Sequence, residues 1–470
     1  MTAPAIPVVT EPARDGGTGG LAPPRGESFK ENALFLFGLL PALGLLVLTL
    51  VQFTSPAQSN QWSKPLAFFA GLCLFSAVRR FLLFTLSFCA LKKIRAVRGN
   101  PAIFRPVSIL VPCFNEARTI GPALQSLLEL DYPEFEIIVV NDGSTDDTLA
   151  QARKYEGEFG QIRVEVLDKP NGGKWSALNL GFRRARGEWI LCVDADSRLE
   201  PEALKRMSVH FNKPRIWGVA GQVRVRNRRN LITRLQALEY LLGNGSVRLS
   251  QSLFGTVLVV PGPIGLFPRA TLEKVWAANC ARSLVESAAD ISGPFNGDTF
   301  AEDFDLSLAI LRLGGRIAYE PLAISHTRAP ETAYRLINQR YRWMRGSMQV
   351  LKKLLKGRKA LPEFRGSAAP AWLAFTYLPE LFLFPMLYFL ALGAAFYFGL
   401  SGELPISFLY WFLSFGLVEI AAAFFYCAIH GDSAALLMTI PFYSFYNGFL
   451  ISSAWLISIL DEFRGKKMRW

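Results

Sequence analysis

Histidine is nearly missing from this chain, with three copies, and the six cysteines include no CxxC pair. Cys73, Cys89, Cys113, Cys192, Cys280 and Cys427 are scattered. That excludes a zinc site of ordinary ligand spacing and a disulfide framework, and suits small buried residues in a reducing compartment. No GxxxxGK[ST] phosphate loop occurs; the GGK ending at Lys174 lacks that spacing. An early charged-then-apolar leader with a cleavage site is also missing, because the first apolar stretch begins at about Ala33.

Phenylalanine, by contrast, is abundant at 37 copies, and the formal charge is +13. Such a charge points to acidic partners: nucleic acid, anionic lipid or a phosphorylated substrate. The arginines of RVRNRRN (Arg224, Arg226, Arg228, Arg229) suit lipid head groups or a diphosphate better than nucleic acid.

Hydropathy divides the chain into blocks. Residues 1–30, rich in Pro, Gly, Thr and Ala, read as a disordered tail. Residues 33–53 are uncharged and long enough to cross a hydrocarbon core of about 30 Å. The next block contains Arg79 and Arg80. A charge pair at mid-membrane is costly, so this crossing is expected to end near Ala77–Arg80, with residues 81–98 lying along the interface. Lys92, Lys93, Arg95 and Arg98 mark that side as cytoplasmic. The expected plan is therefore two membrane helices plus an interfacial segment over 31–100, a cytoplasmic domain over 101–350, and a membrane region over 351–470. The last opens on an interfacial helix, LKKLLKGRK, followed by apolar blocks at about 371–400, 405–430 and 434–460. Three crossings would leave the basic end RGKKMRW outside. One block, the Pro379- and Pro385-containing 371–400, is therefore expected to be re-entrant or split.

In the middle region, VSILVP, EIIVVN, IRVEVLD and EWILCVDAD alternate with helical patterns, which implies a parallel, doubly wound sheet. Ligands bind such sheets at the carboxyl ends of the strands. Acidic residues follow those ends: Glu116 in CFNEA, Asp142 in NDGS, Asp194 and Asp196 in DADS. Ser144 to Asp147 fit a helix cap equally well. Asp194 and Asp196, two apart at a strand end, point the same way and repel unless a hard dication lies between them and a phosphate. Lys174 opens a helix behind two glycines, where amides and a cation suit a phosphate. Glu302, Asp303 and Asp305 crowd a helix start beyond what dipole compensation needs, and a crowded carboxylate suits a general base. In QRYRWMRG, Gln339, Arg342 and Trp343 share one helical face, combining an amide, a cationic fork and a flat ring. A cationic interfacial helix accounts for that octet equally well by itself.

Taken in order, PCFNEARTI, NDGS, DAD, ED and QxxRW between membrane blocks resemble the processive family-2 glycosyltransferases, such as cellulose, chitin, hyaluronan and poly-N-acetylglucosamine synthases. The resemblance implies an α/β GT-A (Rossmann-like) cytoplasmic domain inserted between transmembrane α-helices of the inner (plasma) membrane. It implies a UDP-sugar donor, Mg²⁺ or Mn²⁺, a growing β-linked polysaccharide as acceptor, and accessory export subunits among the partners it allows. By the same resemblance Asp142 and Glu116 lie at the uridine, and Lys174 and Asp194 hold the nucleotide diphosphate. Asp196 ligates the metal, Asp303 is the base supported by Glu302, and Gln339 and Arg342 grip the diphosphate. Trp343 stacks under the acceptor, with Gly262, Pro263 and Gly265 of VVPGPIGLFPR close to the growing end. Asn141 and Ala301 depart from the common aspartate and threonine, and neither an FxVT-like motif nor a cyclic-di-GMP-binding domain is found. The sequence leaves open GlcNAc against glucose, and a lipid glycosyltransferase or a non-enzymatic membrane protein as rivals.

Overall fold

The computed structural model describes residues 64–95, 103–286, 292–356, 364, 366–401 and 419–466, with isolated helical positions between 35 and 47. The expected tail, most of the 33–53 crossing and the first part of the 405–430 block lie outside these residues.

A nine-stranded sheet forms the centre, in the order β3-β4-β2-β1-β5-β8-β7-β9-β6. Four strands are parallel neighbours: β4 (Ile162–Lys169), β2 (Phe135–Asp142), β1 (Val107–Cys113) and β5 (Trp189–Cys192). The apolar runs of β1, β2 and β5 are those of strands buried on both faces, whereas β4 alternates apolar with charged residues and is only partly buried. Alternation then divides the core, because successive side chains leave a strand in opposite directions. Ile109, Val111, Ile137 and Val139 enter one apolar cluster, and Leu110, Ile138 and Val140 enter the other.

Beyond β5 the sheet is mixed rather than parallel throughout. β8 (Gly265–Pro268) runs antiparallel to both β5 and β7 (Ile216–Val225), and β9 (Arg316–Thr327) pairs parallel with β7. Glycine and proline hide the strand pattern of β8 in VVPGPIGLFPR. β3 (Gly157–Phe159) and β6 (Arg198–Leu199) are short antiparallel edges, which limits the unpaired backbone a sheet margin exposes.

The membrane expectation needs correction. One helix, α1 (Lys64–Arg95), runs unbroken through the region where a crossing was expected to stop. Its apolar window is Leu74–Ile94, so Arg79 and Arg80 lie inside it. The sequence argument treated these charges as unpaired. In the structure Arg79 pairs with Glu380, and Arg80 with Glu419 at 2.7 Å, which removes much of the cost of placing them there. The 369–401 run is helical throughout, and its Ala369–Leu387 stretch is also long and apolar enough to cross a membrane. The break falls instead in 434–463, where Ala434–Tyr443 and Tyr446–Phe463 meet at 55°. LKKLL is not a separate interfacial helix. It completes a 24-residue helix, Ala333–Lys356, that also carries QRYRW. Cys113, Cys192 and Cys427 are free and buried, as expected of small core residues, and burial pushes the Cys113 and Cys192 thiols up to about 12; Cys89, by contrast, is exposed and Cys280 only partly buried.

Candidate active site

Three helices begin or pass at the carboxyl ends of the parallel strands. In chain order after α1 they are α2 (Lys174–Arg184), α3 (Glu302–Arg312) and α4 (Ala333–Lys356). Together with the DAD turn after β5 they surround a cavity of about 1390 Å³. Lys174, Asp194, Asp196, Gly262, Pro263, Glu302, Asp303, Gln339, Arg342 and Trp343 all line it. These residues come from five separate stretches of chain and converge only through the fold.

Lys174, on the first turn of α2, bridges two carboxylates: Nζ lies 2.6 Å from Asp194 and 3.3 Å from Glu302. Burial works against its charge, but Asp194 and Glu302 outweigh it and hold the ammonium protonated. Gly262 leaves the room for this contact, because a Cβ there would sit 2.5 Å from Lys174 Nζ. Asp196 accepts from Thr327 Oγ1 at 3.2 Å on both oxygens and from Ser197 at 3.2 Å. Burial, and next the Asp194 charge, raise its pKa. Asp303 accepts from the Phe304 amide at 2.8 Å. Burial, and then Glu302 beside it, push its carboxyl up to about 6. A carboxylate so placed is a stronger proton acceptor than a solvated one and is still ionised at neutral pH.

On α4, Gln339, Arg342 and Trp343 face the cavity as their i, i+3, i+4 spacing requires. Their neighbour Arg340, which the motif reading passed over, is buried and organises that face. It donates to Gln339 Oε1 at 2.6 Å and to Glu239 at 2.7 Å, and its guanidinium lies 4.3 Å from the centre of the Trp343 ring. Glu239 comes from the helix Leu231–Leu242 and also accepts from Tyr446, so three elements meet at one carboxylate. Arg340 thus covers one face of Trp343 while the ring, 43% exposed, keeps surface for a ligand.

Gly346, one turn further, sets how closely α4 approaches the base. Its carbonyl accepts from Thr299 Oγ1 at 3.1 Å, and the Phe300 amide donates to Gln349 at 3.2 Å. Lys353 reaches Asp305 on α3 at 2.8 Å and Asp298 at 3.0 Å. The residues immediately before Glu302 and Asp303 are therefore fastened to the helix bearing Trp343.

Three expected site residues lie outside the cavity lining. Asp142 is buried and turned toward its own chain: it accepts from the Gly172 and Gly173 amides at 3.0 and 2.8 Å and pairs with Lys169. It holds the loop that delivers Lys174. Glu116 accepts from Thr119 Oγ1, and burial followed by the Asp196 and Asp194 charges raises its pKa. Gly265 is a buried strand residue of β8, packed against Val260 and Phe267. Among the described residues no three Asp, Glu, His or Cys side chains converge as a metal-ligand set.

Residues 108–276 match the family described as Glycosyl transferase family 2. This segment is similar to family-2 glycosyltransferase domains. Poly-beta-1,6-N-acetyl-D-glucosamine synthase of Staphylococcus epidermidis is 34% identical over 248 residues, 52% of this chain and 55% of that protein. The protein of the same name from Staphylococcus aureus strain COL is 32% identical over 246 residues, again 52% and 55%. The chain thus spans about half the length of these relatives. Among solved structures, the mannosyltransferase PcManGT from Pyrobaculum calidifontis, in complex with GDP-Man and Mn²⁺, superposes with a TM-score of 0.55 at 21% identity. It covers 84% of this chain and 98% of its own, a likeness of fold. The matched segment supplies Lys174, Asp194, Asp196, Gly262 and Pro263. Glu302, Asp303 and the QxxRW face lie beyond it.

Proposed function

We propose that the family-2 domain transfers a sugar, with inversion, from a UDP-sugar to a growing β-linked polysaccharide, which leaves through the cavity between the membrane helices. The observation that carries this reading is the single cavity shared by the Lys174–Asp194–Asp196 group, Asp303 and the Trp343 face. The names of the curated relatives support a polysaccharide product and an N-acetylglucosamine unit. On this reading the chain resides in the inner (plasma) membrane, with the domain on the cytoplasmic side.

In the mechanism, Asp303 accepts the proton of an acceptor hydroxyl. The oxygen forms a bond to the anomeric carbon as the bond to the UDP oxygen breaks on the opposite face. An α-linked donor thereby becomes a β-glycoside and UDP leaves with the electron pair. Glu302 holds Lys174 close to Asp303 and tunes the base by its charge. Lys174 and Arg342 neutralise the developing diphosphate charge, and removing one such group costs about 3–4 kcal/mol of barrier. Trp343 offers the acceptor an apolar platform, with Gly262 and Pro263 at its edge, while Asp142 and Glu116 act on the nucleotide side by holding the loops around it. Asp194 and Asp196 fit a divalent cation as an oxygen donor pair completed by phosphates, since burial and the Asp194 charge raise the cost of ionising Asp196. Mg²⁺ or Mn²⁺, when bound there, supplies Lewis-acid neutralisation of the diphosphate.

Incubation of the purified protein with radiolabelled UDP-sugars tests the reading. The label should appear in long chains that resist organic extraction and yield to a β-glycosidase. Label that partitions with lipid would identify a lipid glycosyltransferase instead. Asp303→Asn should lower the rate by about 10²–10⁴-fold, and an unimpaired variant would remove the base.

A further inference from the structure

α4 turns different residues to different sides, and the cavity meets only one of them. At 3.6 residues per turn, Tyr341, Arg345 and Lys352 fall on nearly the opposite side from Gln339, Arg342 and Trp343. There α4 meets the last helix, α5 (Ser452–Phe463), which brings two acids to it. Glu462 accepts from Arg345 Nε at 3.1 Å and Nη2 at 3.0 Å, and its second oxygen takes Lys352 at 2.7 Å. Asp461 accepts from the Tyr341 hydroxyl at 2.8 Å, and that hydroxyl accepts in turn from Arg345 Nη1 at 3.1 Å. Arg345 Nη2 also donates to the Lys466 carbonyl at 2.8 Å, just past the carboxyl end of α5, where the helix dipole favours a cation. Every nitrogen of the Arg345 guanidinium is thus engaged behind α4, away from the cavity.

We propose that Asp461 and Glu462 are positioning residues of the transfer reaction, gripping the back of α4 so that Gln339, Arg342 and Trp343 stay turned toward Asp303. The inference rests on the reading of that face as the diphosphate and sugar site. Two contacts already described hold α4 from other directions: Gly346 sets its distance from the catalytic loop, and Arg340 ties one flank to Glu239. The acids add the third direction, which stops the helix from rolling about its own axis. Exposed ion pairs are too loose for such a task. Here the Arg345, Asp461 and Glu462 side chains are only 4%, 11% and 14% exposed, so the grip has one geometry. A roll of about 10° displaces a group at the helix's outer radius of about 5–6 Å by about 1 Å. A misplacement of that size lowers rate by up to about 10²-fold.

The test uses the full-length protein in lipid nanodiscs, with radiolabelled UDP-N-acetylglucosamine as donor and a β-linked N-acetylglucosamine hexasaccharide as acceptor. The readout is the ratio of sugar transferred to UDP-sugar hydrolysed. A smaller folded fraction leaves that ratio unchanged, because both rates fall together. Glu462→Ala and Arg345→Ala should each lower the ratio about tenfold. The double variant should lie within about twofold of either, since both changes remove one contact. Glu462→Gln keeps the shape and an accepting oxygen but not the charge, so its ratio should fall about threefold. This variant carries the test if an alanine variant no longer binds UDP. An unchanged ratio in any UDP-binding variant, or fully additive losses in the double variant, overturns the positioning role while the transferase reading stands. Wild type that transfers no sugar to the hexasaccharide overturns the reading beneath, and the positioning role falls with it.

Discussion

Replacing Gly346 with alanine probes how α4 is set against the catalytic loop. Two effects oppose each other. Alanine is the better helix former by about 1 kcal/mol, so without a tertiary contact the substitution would stabilise the protein. A Cβ at this position, however, would lie 2.8 Å from the Ala301 nitrogen and from the Phe300 carbonyl carbon. Both are backbone atoms, and the Thr299 and Gln349 hydrogen bonds hold them in place. α4 and the loop must therefore separate by about half an ångström in a close-packed contact, with an overpacking cost of about 1–3 kcal/mol. The net expectation is a loss of up to about 2 kcal/mol. Activity should suffer more, because Trp343 and Arg342 move relative to Asp303, and a misplacement of this kind lowers rate by up to about 10²-fold. Thermal unfolding in detergent, together with kcat and KM for a UDP-sugar, separates the two effects. A Gly346→Ala protein that is more stable than wild type and equally active would refute the reasoning.

The raised Asp303 carboxyl predicts that kcat/KM declines tenfold per pH unit below about 6 as the base protonates. Because the folded state holds this proton more tightly than the unfolded chain, the group's contribution to stability falls as pH rises through that range. Asp303→Asn should therefore unfold at a higher temperature than wild type at pH 8, as differential scanning fluorimetry would record. Arg340→Ala leaves the half-buried Glu239 without its cation and should cost about 1–3 kcal/mol of stability. Arg340→Lys keeps the charge but loses the fork, so acceptor KM should rise with donor KM nearly unchanged. Chelation with EDTA should abolish transfer, Mn²⁺ or Mg²⁺ should restore it, and Asp196→Ala should need at least tenfold more metal.

The legible parts of this sequence were those with local causes. β1, β2 and β5 announce themselves because strands buried on both faces are nearly continuously apolar, β4 by alternation of apolar and charged residues, and the carboxylates after β1, β2 and β5 mark where ligands approach. The Gln339, Arg342, Trp343 face follows from helical spacing alone. What escaped depended on distant partners. Arg79 and Arg80 were placed at a membrane edge because Glu380 and Glu419 stand more than 300 residues away. Arg340 looked like one charge in a basic run, and its role came from Glu239, 101 residues earlier. Asp142 looked like a ligand-facing carboxylate until the Gly172 and Gly173 amides were seen to occupy it. LKKLL was set apart for its basic composition, although the periodicity that begins before QRYRW continues through it.

The most direct measurement is an electron cryomicroscopy structure of the full-length protein in nanodiscs with UDP and Mn²⁺. The account predicts the diphosphate between Lys174, Asp196 and Arg342, with Asp303 and Trp343 facing the same open volume. A nucleotide bound elsewhere, or one separated from Asp303 and Trp343 by packed protein, would contradict it.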